Sequence, residues 1–238
     1  MSVRTDYVTV AVNDGTEMNV YVARPAHAHA SPGVIVFQEA FGVNAHIRDV
    51  AERFAALGCV AVAPELFHRS APGFQGSYTD FEAVRPQIAA LTREGLEADI
   101  DAAFDWIRND DGVDPNEIAA IGFCMGGRVA YMANARVSLR AAVSFYGGGI
   151  APDLLSLASA QHGPLLMFWG GLDAHIPAEQ YRDVADALTA AGATHEQVVF
   201  SHADHGFFCD QRASYNPIAA RQAWALVKEF FTAYGALP

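Results

Sequence analysis

The sequence predicts an α/β protein built on a mostly parallel, doubly wound sheet flanked by helices. Three observations predict it. Short apolar runs at 33–37, 59–63, 117–123, 141–146, 164–169 and 195–200 alternate with stretches of helical length and period. Gly, Pro, Asn and Asp punctuate the junctions between them. One junction, Gly122-Phe123-Cys124-Met125-Gly126-Gly127, reads as strand, sharp turn, helix, with a nucleophilic side chain at its tip. Repeated strand–helix units in one sheet need right-handed crossovers, and active residues then gather on loops beyond the carboxyl ends of the strands.

The elements follow in order. Residues 7–12 and 18–23 flank Asn13-Asp14-Gly15 and read as a hairpin. The apolar run 33–37 suits a central strand covered on both faces. Asn44 caps a helix reaching about Leu57, ended by Gly58, and the strand 59–63 stops at Pro64. A loop rich in Gly, Pro and aromatics spans 68–80. A long helical stretch covers 81–109, with breaks expected near Pro86 and Gly95. The strand 117–123 leads into a helix from Arg128, and strands follow at 141–146 and 164–169. A helix at 178–191, a strand at 195–200 and a last helix at 217–234 complete the chain. No Pro/Ser linker, low-complexity segment or fixed-period repeat divides it, so residues 1–238 read as a single domain.

Composition narrows the function classes. The 238 residues carry 15 Lys and Arg against 27 Asp and Glu, a formal net charge of −12 with no basic cluster. That balance argues against nucleic-acid binding and is ordinary for a solubilising surface. No apolar run is long enough to span a membrane, and the N-terminus has no signal-peptide core, so a cytoplasmic protein is expected. Three cysteines, Cys59, Cys124 and Cys209, form no scaffold pattern and are expected as free thiols. The nine histidines are not clustered at ligand spacing, so no metal and no cofactor are expected. A monomer is the default assembly.

The junction at Cys124 carries the chemistry. Glycines at 122 and 126 frame it where neighbouring chain must pass closely, as in the G-x-nucleophile-x-G elbow of the α/β-hydrolases, with cysteine in the place usual for serine. A lone cysteine is otherwise a small core hydrophobe, which is the better reading of Cys59. A thiol attacks as thiolate, so it needs a base and an orienter, and the elbow order places the acid before the histidine. Asp173 follows the strand 164–169 directly, and His205 follows the strand 195–200. His202 and His175 compete with His205. The first lacks a following glycine, and the second is closer to the acid than a triad needs.

Acyl transfer also needs two N–H donors for the oxyanion. The elbow assigns one to Met125, and the loop Gln38-Glu39-Ala40-Phe41-Gly42 supplies Ala40 as the other. Glu39 is then expected at the pocket mouth near the thiol, where its charge would oppose thiolate formation; an exposed loop carboxylate is the plainer alternative. Phe41 and Tyr146 are candidate apolar walls of a substrate pocket or plain packing residues.

Together these segments resemble the dienelactone hydrolase family, the carboxymethylenebutenolidase-like, cysteine-nucleophile branch of the α/β-hydrolases. The resemblance runs in order through 38–58, 62–67, 122–131, 144–148, 170–173 and 205–207. It implies an α/β-hydrolase fold, a Cys124–His205–Asp173 triad, and a regulatory contact of Glu39 with the nucleophile. It implies hydrolysis of a small ester or lactone of the dienelactone type, through a thioester and without a cofactor. Rival readings are a general carboxylesterase or thioesterase, or a non-hydrolytic binding protein on the same scaffold. One departure stands out: the family's best-known members carry a substrate-binding arginine four residues after the histidine, and here that residue is Cys209. Arg212 and Arg85 are the cations available in its stead.

Overall fold

A computed structural model describes residues 2–27 and 29–238. Its strands are β1 Val3–Ala11, β2 Glu17–Pro25, β3 Ser31–Phe37, β4 Val60–Pro64, β5 Val113–Phe123, β6 Ala142–Phe145, β7 Leu165–Gly170 and β8 His195–Phe200. Its α-helices are α1 Ala45–Ala56, α2 Phe81–Ala89, α3 Arg93–Arg108, α4 Met125–Arg136, α5 Ala178–Ala190 and α6 Pro217–Ala233. All eight strands join one sheet in the order β1-β2-β4-β3-β5-β6-β7-β8. The hairpin β1–β2 pairs antiparallel, β2 meets β4 antiparallel, and β4 through β8 run parallel. This is the mostly parallel, doubly wound sheet that the alternation of apolar runs predicts, in the arrangement of the α/β-hydrolase fold that the resemblance implies.

The chain moves from β3 one way to β4, then back across β3 to β5. Right-handed crossovers in opposite directions put α1 and α3 on opposite faces of the sheet. On one face Phe54 of α1 packs on Trp224 and Phe231 of α6. On the other, Arg136 of α4 holds Glu97 and Asp101 of α3. β3, β4 and the second half of β5, 118–123, are covered on both sides, which explains their apolar sequence. Phe123, Phe145 and Phe168 sit in register on β5, β6 and β7, with stacked rings 4.9 and 4.4 Å apart. This aromatic ladder lies at the carboxyl ends of the strands and forms the floor on which the site stands.

The largest departures from the sequence expectation fall at three element boundaries. The helical stretch 81–109 breaks between α2 and α3, at neither Pro86 nor Gly95. Thr92 caps α3, its hydroxyl accepting from the Gly95 N–H at 3.0 Å, and a new helix start there ends the old one. Pro86 stays inside α2. β1 begins at Val3 rather than Tyr7, because its ladder with β2 extends past the part where side-chain alternation is visible. β5 begins at Val113 rather than Glu117, continued by pairing of Val113 with Ser31 across a register shift. Among the described residues, no helix is long and apolar enough to cross a membrane.

Candidate active site

Cys124 lies between the end of β5 and the start of α4, with φ 55° and ψ −117°. A non-glycine residue there is strained, and the strain is held by bonds on both sides. The Cys124 N–H donates to the Phe145 carbonyl at 3.0 Å, and the Gly127 N–H donates to the Cys124 carbonyl at 3.0 Å. The flanking glycines answer to close approach. A Cβ on Gly122 would collide with the Gly126 carbonyl, and one on Gly126 with the carbonyls of Phe37 and Gln38. That second approach sets the loop after β3 against the elbow.

β7 and β8 are parallel neighbours, so the loops after them emerge side by side. Asp173 leaves the first and His205 the second, and His205 Nδ1 lies 2.7 Å from Asp173 Oδ2. The other Asp173 oxygen accepts from the N–H groups of His175 and Ile176 at 2.8 and 3.2 Å. Burial raises the Asp173 pKa, but the His205 bond and these amides overcome it and hold the carboxyl below its usual value. For His205 burial acts downward, yet the Asp173 bond and the Cys124 thiol prevail and lift its pKa to about 10. Of the competing histidines, His202 is exposed and offers only its backbone carbonyl, to Asn216. His175 lines the cavity, but it is its backbone N–H that meets Asp173.

Cys124 and His205 open onto a cavity of about 400 Å³ whose wall includes Ala40, Phe41 and Met125. Among the described residues, neither the Ala40 nor the Met125 N–H donates to a backbone or side-chain acceptor, which leaves both free to serve an oxyanion. Tyr78, from the aromatic-rich loop after β4, also lines it. Its ring lies 4.5 Å from that of Phe41, and its hydroxyl accepts from Asn44 Nδ2 at 2.8 Å. Sequence reasoning singled out that loop without giving Tyr78 a role.

Arg212 reaches the cavity wall, with its guanidinium 5.7 Å from the Phe41 ring centre and 5.9 Å from that of Tyr78. Arg85 does not. It stands exposed on α2 beside Glu82, and a substrate-binding role for it is set aside because its face of the helix turns to solvent. Tyr146 is fully buried at φ 38°, its ring 5.0 Å from that of His205. It supports the histidine from behind and does not line the cavity. Burial, followed by the charge of Glu39, pushes its hydroxyl far above the ordinary tyrosine range.

Glu39 is also placed differently from the expectation. It is fully buried and not at the pocket mouth, and its bond goes to Arg212, Nη1 to Oε1 at 3.0 Å. Ala40, in the turn after β3, lines the cavity, and Glu39 does not. Its Oε2 has no partner among the described residues. Glu39, His46 and Cys209 are the groups that could offer ligands to a metal, their donor atoms within 4.8 Å of one another. The Arg212 cation already occupies Glu39, which opposes a second cation there. Cys59 and Cys209 are buried thiols pushed up to about 12 and about 11, both chiefly by burial. Of the three cysteines, Cys124 alone faces the cavity.

The profile of the dienelactone hydrolase family matches residues 18–235. A Synechocystis protein provisionally named a carboxymethylenebutenolidase is 38% identical over 240 residues, covering 97% of each chain. One from Salmonella typhimurium with the same provisional name is 35% identical, covering 96% of this chain and 87% of its own. The crystal structure of a provisionally named dienelactone hydrolase from Klebsiella pneumoniae superposes with a TM-score of 0.89. It has 33% identity and covers 98% of this chain and 99% of its own.

Proposed function

The chain belongs to the dienelactone hydrolase family and is a hydrolase of esters or lactones; from that premise we propose that Cys124, His205 and Asp173 act as its nucleophile, acid–base and orienter. The observation that carries this reading is the 2.7 Å bond from His205 to a buried Asp173, on adjacent strand ends, with His205 and Cys124 in the wall of one cavity. Asp173 fixes the ring through Nδ1, which leaves Nε2 for the thiol and the leaving group.

In the proposed cycle the His205–Cys124 contact supports the thiolate. The sulfur attacks the ester or lactone carbonyl, and the C=O pair moves onto oxygen. The Met125 and Ala40 N–H groups receive that oxyanion. Collapse breaks the C–O bond, the alkoxide or enolate takes the His205 proton, and a Cys124 thioester remains. Water, giving a proton to His205, then cleaves the thioester and expels the Cys124 thiolate beside the protonated His205. An enolate or aryloxide leaves readily, so the substrate class is a small activated ester or lactone of the dienelactone type.

The test is turnover of dienelactone, simple aryl esters and acyl thioesters by the wild type beside Cys124→Ala. Mass spectrometry of a quenched reaction maps the acyl adduct. Loss of turnover in the variant and an adduct on Cys124 support the reading. Full activity in Cys124→Ala would remove it, and the relative kcat/KM values separate a lactonase from a general esterase or thioesterase.

A further inference from the structure

The helix that follows the nucleophile carries more than the elbow. Arg128 and Met132 are four residues apart on one face of α4, and Arg128 stands about one turn, roughly 6 Å along the axis, into the helix from its N-cap Cys124. Arg128 lines the catalytic cavity together with Cys124, and it also lines a second cavity of about 290 Å³ together with Met132. Ile88 is the other residue common to both. The two spaces therefore adjoin at Arg128 and Ile88, and the second is walled by Ile88 of α2, Leu91, and Leu96 of α3, with Arg93 and Asp153 as its other charged residues.

The two cavity arginines differ in their partners. Arg212 is neutralised by Glu39 at 3.0 Å. Among the described residues Arg128 has no ion pair and no side-chain hydrogen bond, and its Nε is buried without a partner. Its guanidinium lies against Gly149, where an added Cβ would come within 3.1 Å of Nη1. A half-buried guanidinium with its donors unfilled, set in the wall of a reaction cavity, calls for an anionic partner.

Resting on the hydrolase reading above, we propose that Arg128 is a specificity residue that binds an anionic group on the acyl part of the substrate. The anion would sit about one helical turn from the scissile carbonyl. The leaving group must face His205, which supplies its proton, so the acyl chain takes the remaining direction along α4. The substrates are esters whose acyl chain ends in, or carries, a carboxylate near Arg128, with room beyond it toward Met132.

The probe is the monophenyl ester of glutaric or adipic acid, compared with the phenyl ester of the matching monocarboxylic acid. Binding is measured by calorimetry on Cys124→Ala, which separates recognition from turnover, and kcat/KM is measured on the otherwise wild-type chain. Arg128→Gln is expected to lower the preference for the half-ester by about tenfold or more in both readouts, with Arg128→Lys intermediate. Thermal melts establish that each variant is folded. An unchanged preference in folded Arg128→Gln overturns the proposal while leaving the hydrolase reading intact. Selective half-ester binding that Arg128→Gln abolishes, with no ester turned over by the wild type, would do the reverse.

Discussion

Arg212 Nη1 lies 3.0 Å from Oε1 of Glu39, a residue 173 positions away, and the carboxylate is fully buried. Burial works against the charge on Arg212, but Glu39 and its neighbours prevail and the arginine pKa is raised. Removing one partner of such a pair leaves the other charged and desolvated, at a cost of about 3–5 kcal/mol. Arg212→Met is therefore expected to lower unfolding stability by roughly that amount. Adding Glu39→Gln should recover much of the loss, because the stranded charge goes with it. Urea unfolding of the two singles and the double closes the cycle. Additive losses would show that the pair is not coupled.

The His205–Asp173 pair sets how stability depends on pH. The folded His205 pKa of about 10 lies above its ordinary 6.5. Its contribution is thus complete below about pH 6.5 and is lost as pH rises through about 10. Asp173 is held below 3.8, so its contribution is present above that value and is lost as pH falls through the lowered pKa. Asp173→Asn should lower the His205 pKa and flatten the decline above pH 6.5. Cys124→Ala should lower it as well, because the Cys124 sulfur, as thiolate, is the second group holding the proton. Titration of the His205 ring by heteronuclear NMR reads both, and a histidine that keeps its wild-type pKa in either variant contradicts the assignment.

Much of this site was legible before the fold was known, and the reason is local. The elbow glycines, and an aspartate and a histidine each just after an apolar strand, are signals each written within a short stretch of chain, and parallel strand order brings such strand ends together. Arg212 was harder because it returns by turns. Cys209 N–H donates to Gly206 O, and Arg212 N–H to Cys209 O, both at 3.1 Å. Gly206, at φ +78°, leaves room that a Cβ would take from the Arg212 guanidinium. Counting four residues past the histidine finds Cys209, whereas the turns deliver Arg212 to the site. Arg85 failed for the opposite reason: its region was right, but a helical face, not sequence distance, decides where it points. Arg128 carried one signal that was passed over, a charged residue one turn after the nucleophile in a helix whose only other charge is Arg136 in its last turn.

The last prediction concerns the backbone at Cys124. At φ 55° and ψ −117° a side chain is disfavoured and glycine is not, and such strain costs on the order of 1–3 kcal/mol. Both Cys124→Ala and Cys124→Gly remove the thiol, but only the second removes the Cβ. Glycine also gives the unfolded chain more freedom, which offsets roughly 0.5–1 kcal/mol of the gain. Cys124→Gly should therefore be more stable than Cys124→Ala by about 1 kcal/mol, although both lack turnover. The order of the two melting temperatures decides the matter. If alanine is the more stable, the elbow is not strained, and rigidity of the nucleophile's position would have to come from the Phe145 and Gly127 hydrogen bonds alone.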